Sequence, residues 1–352
     1  MVWSVGNFEH ADPVYAIDLM AVLRTTDLTV RYGTRPALSA LDVEVPEGVS
    51  GLLGRNGAGK STLLKTLLGF LVPERGSVEV LGVPVRGRPH RLRLRLGYFP
   101  ERSVFVPGLS SVEMVALAGE LGGLSRTNAL ARAHDMLWFT GLGDARYRLV
   151  EEFSTGMQQR TKLAMALVHD PELLLLDEPT SGLDPVGRRQ MLELVRDVGK
   201  RGVSVMLSTH LLHDVEQVCD SVVVLDKGTL ALAGRLDVLR QHSAGHSGHS
   251  GHSGHSGHSG HSGCVYEIRI REDTPGSFRN ALSSGDVSIE EDSHGQLRIT
   301  LSASDSSEAP STRFLFEAAR SAGAEIRHLR RFETSLEETF LTAVKLHPLD
   351  GS

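Results

Sequence analysis

The chain has 352 residues, enough for two domains with separate cores. Its formal net charge of −6 argues against a nucleic-acid footprint, which needs a strongly basic face or stripe. The two cysteines, Cys219 and Cys264, lack metal-ligand spacing and argue against a disulfide framework or a zinc site.

In chain order, Met1 to Asp12 carries Glu9 and Asp12 without a basic start or a sustained apolar run, so residues 1–21 are expected to be an extension and not a signal peptide. Leu28 to Tyr32 and Leu41 to Val45 alternate as strands, bounded by Gly33 and by Pro46-Glu47-Gly48. Leu63, Leu64, Leu67 and Leu68 then recur at helical spacing, as do the apolar residues of 112–121 and 129–139. From Glu172 to Leu225 short apolar strands alternate with helices over 187–198 and 211–218, which predicts a mostly parallel sheet covered on both faces. The strand over 203–207 is expected to end just before His210. The run Leu173 to Leu176 stops at Asp177, and no apolar run reaches the ~18–20 residues that cross a bilayer.

At Gly245 the composition changes to His-Ser-Gly repeats, with no residue able to build a core, so 241–263 reads as a linker. Its imidazoles keep a metal-binding alternative open. Beyond it, strands over 265–270, 287–291, 296–301 and 325–332 and helices near 276–283, 311–322 and 335–344 predict a small α+β domain over 264–345, with ferredoxin-like order, followed by a tail at 346–352.

The chemistry concentrates in a few motifs. Gly54-Arg55-Asn56-Gly57-Ala58-Gly59-Lys60-Ser61, followed by Thr62, reads as a phosphate-binding loop. Small residues let backbone N–H groups approach phosphate oxygens at the positive end of the next helix, while Lys60 adds a mobile positive charge. Ser61 and Asp177 are expected to serve Mg²⁺, and the adjacent Glu178 to polarise the attacking water. A second acid around the metal is the other reading of Glu178.

Between loop and carboxylates lies Phe153-Ser154-Thr155-Gly156-Met157-Gln158-Gln159-Arg160; after them come Ser181-Gly182-Leu183-Asp184 and Ser208-Thr209-His210. This order over residues 22–240 resembles an ABC transporter ATP-binding subunit. The resemblance implies an α/β P-loop ATPase domain with a β-subdomain and a helical subdomain near 110–149, ATP and Mg²⁺ as cofactors, and ATP hydrolysis. It further implies that His210 aligns Glu178 and meets the γ-phosphate, that Tyr32 stacks on adenine, and that Ser154 and Gly156 reach the γ-phosphate held by the opposite subunit of a head-to-tail dimer. Asp184 would run along the dimer seam. A packed or edge-strand tyrosine and a solvated loop acid are the plain readings of Tyr32 and Asp184.

Two segments depart from the family pattern. Thr155 and Met157 differ from the commonest signature, Thr155 sitting where glycine is usual, and Glu101, in Gly97-Tyr98-Phe99-Pro100-Glu101, sits where glutamine usually touches the metal and the water. A carboxylate ligates magnesium but, when ionised, donates no hydrogen bond. Arg91, Arg93 and Arg95 read as a solvated basic face, with contact to a membrane partner as the alternative. Together with Ser335 to Leu341, these motifs resemble multidrug and antibiotic-resistance exporters. The resemblance implies a peripheral subunit at the cytoplasmic face of the membrane, working through a separately encoded permease. Export of lipid, polysaccharide or metal, or a non-transport ABC ATPase acting on ribosomes or DNA, are the rival functions.

Overall fold

The computed structural model describes residues 21–85, 90–102, 105–243, 264–272, 277–282, 287–291, 297–301 and 312–331. The N-terminal extension, the His-Ser-Gly repeat and the helix expected near 335–344 lie outside them. The chain divides into two compact units between Leu236 and Asp237.

In the first unit, β1 (Ala21–Tyr32) and β2 (Arg35–Pro46) form a long antiparallel hairpin. Strand β3 (Val49–Leu53) leads into α1 (Lys60–Leu67), then β4 (Arg75–Val80), β5 (Val83–Pro84), α2 (His90–Arg93) and β6 (Leu96–Phe99). Three helices follow: α3 (Ser111–Leu121), α4 (Arg126–Phe139) and α5 (Thr155–Leu167). The unit continues with β7 (Leu173–Asp177), α6 (Pro185–Lys200), β8 (Ser204–Thr209), α7 (Leu212–Val218), β9 (Ser221–Asp226) and β10 (Thr229–Arg235), and α8 (Leu236–Ser243) begins at the boundary.

Two sheets result. The first is antiparallel, ordered β2-β1-β4-β5; the second, ordered β10-β9-β3-β8-β7-β6, is parallel from β9 to β6. Strands β3, β7 and β8 are buried along their whole length, which is why Leu173 to Leu176 is continuously apolar and not alternating. Burying each such leucine contributes about 1.5–3 kcal/mol. On one side Leu52, Leu63, Leu64, Leu67, Leu173 and Leu175 pack with the antiparallel sheet; on the other Leu174 and Leu176 pack with Met191, Leu192, Val195 and Val198 of α6. Helices α3, α4 and α5 share a third core around Val115, Leu137, Val150 and Ala164.

Helix starts follow local chemistry. Ser110 and Glu113 form a reciprocal capping box on α3, while Ser125 caps α4 and Asp184, with Pro185 following, caps α6. Strand β8 runs to Thr209, two residues past the apolar 203–207 run, because Ser208 pairs with Asp177 and Thr209 with Leu53. Strand pairing with both neighbours overrides the loss of apolar character.

The second unit contains β11 (Cys264–Glu272), α9 (Ser277–Ala281), β12 (Val287–Glu291), β13 (Leu297–Leu301), α10 (Arg313–Ser321) and β14 (Ala324–Arg331). Its sheet order, β12-β13-β11-β14, with all neighbours antiparallel, is the split βαβ arrangement of a ferredoxin-like domain. Ile268, Ile299, Phe278 and Leu315 are buried between its sheet and helices.

Candidate functional site

The phosphate loop, the Asp177-Glu178 pair, His210 and the Glu101 segment leave the carboxyl ends of β3, β7, β8 and β6, which are neighbours in one parallel sheet. Open α/β sheets bind ligands beyond that edge.

Residues Gly54 to Gly59 turn from β3 into α1, with Ala58 N–H donating to Arg55 O at 3.0 Å. Gly59 precedes the helix at φ 105°, and a Cβ there would fall 2.8 Å from Ala37 O, so only glycine makes this approach. Unpaired N–H groups of Lys60, Ser61 and Thr62 head the helix, where anions bind. Arg55, Asn56 and Gly57 are exposed at the tip, and Ala58 is buried beneath it. Lys60 is buried; its Nζ donates to Gly54 O at 2.7 Å and lies 3.3 Å from Glu178 Oε1.

Asp177 Oδ1 accepts from Ser208 Oγ at 2.8 Å and from Ser61 Oγ at 3.2 Å. Glu178 takes a left-handed backbone, φ 51°, with its N–H donating to Ser208 O at 3.1 Å. That conformation costs a residue with a Cβ of order 1–3 kcal/mol and is found where a side chain must be aimed. His210 donates from Nδ1 to Glu178 Oε2 at 2.9 Å. The other oxygen, Oε1, is buried and accepts no hydrogen bond, leaving the Lys60 ammonium as its electrostatic partner.

Glu101 is exposed, immediately beyond β6. Burial, followed by the charges of Asp177 and Glu101, pushes the Tyr98 phenol up to about 12, so both carboxylates act on one hydroxyl. Behind this segment lies Lys162 of α5, which donates to Pro100 O at 2.9 Å and Glu101 O at 3.2 Å. Burial lowers its ammonium to about 8 against the opposing pull of Glu101 and Asp177. Of the three arginines upstream, Arg95 is bound in a two-point pair with Glu172 at 2.5 and 2.6 Å, and Arg93 lies over the Phe70 ring.

Ser154, Gly156 and Asp184 are gathered elsewhere. They line a pocket of about 250 Å³ with Arg160, Leu183 and Met191, and that pocket shares no residue with the phosphate loop. Ser154 caps α5, accepting from Met157 N, and Asp184 Oδ1 accepts from Gly187 N at 3.0 Å. Tyr32 ends β1 in the antiparallel sheet, paired with Arg35 across the hairpin and 51% exposed.

Sequence reasoning missed four supporting side chains. Ser208 belongs to the Ser208-Thr209-His210 motif, so its contact with Asp177 had a local signal. Asp214, Gln159 and Lys162 had none, since their partners are 34, 22 and about 60 residues away. Asp214, wholly buried, accepts from Thr180 Oγ1 at 2.8 Å and Arg188 Nε at 2.6 Å, tying α7 to the segment after Glu178.

The family model described as ABC transporter matches residues 38–181. The daunorubicin/doxorubicin resistance ATP-binding protein DrrA of Streptomyces peucetius is 33% identical over 329 residues, covering 93% of each chain. The chain belongs to the ABC transporter family of ATP-binding subunits. An uncharacterized ABC transporter ATP-binding protein, YxlF of Bacillus subtilis, is 43% identical over 190 residues, covering 54% of this chain; the chain spans 62% of that relative's length. Among solved structures, cbiO1 of Clostridium perfringens, described as part of the ABC transporter complex cbiONQ, is 28% identical with a TM-score of 0.56, covering 61% of this chain and 88% of that one. This ABC subunit is accordingly an ATP-binding, ATP-hydrolysing protein of a transport system. Among its described residues no helix is long and apolar enough to cross a membrane.

Proposed function

We propose that the chain is the ATPase of an exporter of drugs or antibiotics, acting at the cytoplasmic face of the membrane as a head-to-tail dimer on a separately encoded permease. The contact that carries the catalytic part of this reading is the ladder Lys60–Glu178–His210, buried at Lys60 and Glu178 and open to solvent at His210. Export of a drug-like cargo is supported by the likeness to DrrA along nearly the whole chain.

In this reading the head of α1 and Lys60 cradle the β- and γ-phosphates, and Tyr32, exposed at the end of β1, stacks on the base. Glu178, its carboxylate aimed by the left-handed backbone and by His210, takes the proton of the attacking water or polarises it. His210, donating from Nδ1, holds that carboxylate in place beside the γ-phosphate. The hard oxygens of Ser61 and Asp177 suit Mg²⁺, which a protein usually binds through one or two side chains with phosphates and waters completing the shell. Ser61 and Asp177 would hold the ion, with Glu101 as a further oxygen donor; when bound, it neutralises phosphate charge.

Gly156 supports the in-trans role. A Cβ there would meet Leu183 Cδ2 at 3.7 Å, an ordinary contact, so packing within one chain leaves room for a larger residue. Close approach by another body is what calls for glycine. Thr155 reaches towards Gly182, whose Cβ would lie 3.4 Å from its methyl. The test is specific ATPase activity against protein concentration, alone and with the permease candidate co-expressed. Activity rising with concentration, together with membrane recovery that depends on the co-expressed subunit, supports the reading; a monomer with constant specific activity contradicts it.

A further inference from the structure

We propose that Lys162 is a positioning residue that holds the Phe99–Glu101 segment on α5, so that the loop bearing Glu101 and the helix bearing Ser154 and Gly156 move as one body. The inference rests on the roles proposed above for those three residues.

Lysine is almost never buried without a partner, yet Lys162 is only 2% exposed. Its ammonium is spent on three consecutive residues, the last of β6 and the two that follow it. It donates to Pro100 O at 2.9 Å and to Glu101 O at 3.2 Å, and it sits 4.2 Å from the centre of the Phe99 ring. The partners are backbone carbonyls and a ring face, so the contact specifies where the chain itself runs. The charge is balanced at longer range by Glu101 and Asp177, which both favour the ammonium.

A core-filling role is met better by another residue. Methionine has similar length and no charge to desolvate, and removing buried charge in favour of apolar packing is often neutral or stabilising. One turn earlier on the same face of α5, Gln159 Nε2 donates to Ser181 O at 3.1 Å, in the segment that follows Glu178. Helix α5 thus grips both the loop after β6 and the loop after β7, through buried side chains three residues apart.

The experiment compares the full-length parent with Lys162→Met by amide hydrogen exchange of peptides spanning Tyr98 to Arg102, with Gly54 to Ser61 as the internal reference, and by steady-state ATP hydrolysis. The expected result is faster exchange confined to the 98–102 peptides, with kcat down about 10- to 100-fold and ATP affinity within about twofold, the mark of misplaced groups and not of lost binding. Parental exchange and parental kcat, the behaviour of a core-filling residue, would overturn the proposal. If the Met variant does not fold, Lys162→Gln reads the same two quantities: its neutral amide keeps a donor but loses the charge, so a smaller rise in exchange and a smaller fall in kcat are expected, and parental values again overturn it. A parent that hydrolyses no ATP would sink the functional reading instead, and the exchange comparison would still decide Lys162.

Discussion

Lys60 and Glu178 lie 3.3 Å apart, ammonium to carboxylate, with both side chains almost wholly buried. The cation expected to bind phosphate is therefore matched, within one chain, to the carboxylate expected to activate water. In the proposed mechanism, phosphate oxygens entering the loop would compete with Glu178 for that ammonium and so link nucleotide binding to the freeing of this carboxylate.

Glu178→Gln separates the two roles. Turnover is expected to fall about 10²-fold or more, because a positioned base contributes on that scale. ATP affinity should hold or tighten, since the amide no longer competes for Lys60. Single-turnover hydrolysis and equilibrium titration read both quantities, and near-parental turnover would remove Glu178 from the mechanism. Lys60→Ala should instead weaken binding itself.

Asp214 joins three elements at a buried point, accepting from Thr180 and Arg188. Asp214→Ala leaves the Arg188 guanidinium and the Thr180 hydroxyl without their acceptor. Breaking a buried pair from one side costs about 3 kcal/mol or more, a fall of roughly 6–12 °C in Tm for a unit of this size. Thermal unfolding followed by circular dichroism measures it. A shift under a degree would mean that neighbouring groups take over both donors.

The Ser110–Glu113 capping box gives a pH signature. The Ser110 hydroxyl, and then its backbone N–H, hold the Glu113 carboxyl below its ordinary 4.5. Folding therefore favours the ionised form, so this contribution is present above pH 4.5 and lost as pH falls through the lower folded value. Ser110→Ala should lower Tm by about 2–4 °C at pH 7 and by less at pH 4. An equal shift at both values would show that the carboxylate takes no part in the cap.

What could be read from the sequence follows the range of each interaction. The phosphate loop, Asp177-Glu178 and Ser208-Thr209-His210 are each contiguous in sequence, so their order alone marked them as candidates, and the fold brings them to one edge of the parallel sheet. Helices α3, α4 and α6 were legible from apolar spacing, and the strands of the second unit from alternation. Their β-α-β-β-α-β succession also pointed to the ferredoxin-like sheet, in which β11 lies between β13 and β14. Asp214 and Lys162 were silent: an acid on a helix and a lysine on a helix look solvated until the fold brings Thr180, Arg188 or the Pro100 carbonyl to them. Arg95 shows the converse, an apparent surface charge already committed to Glu172.

The central claim is that each catalytic site is built from two copies of the chain, with Lys60 and Glu178 from one and Ser154 and Gly156 from the other. Mixing two inactive variants tests it most directly. Lys60→Ala keeps its signature residues and Ser154→Arg keeps its phosphate loop, so each homodimer has two broken sites while a mixed dimer has one intact site. Equal mixing, with half the dimers mixed and one site of two intact in each, is predicted to restore about a quarter of parental ATPase activity. If mixed dimers form, as shown by differently tagged chains purifying together, and activity stays at the level of the separate variants, the composite site is contradicted.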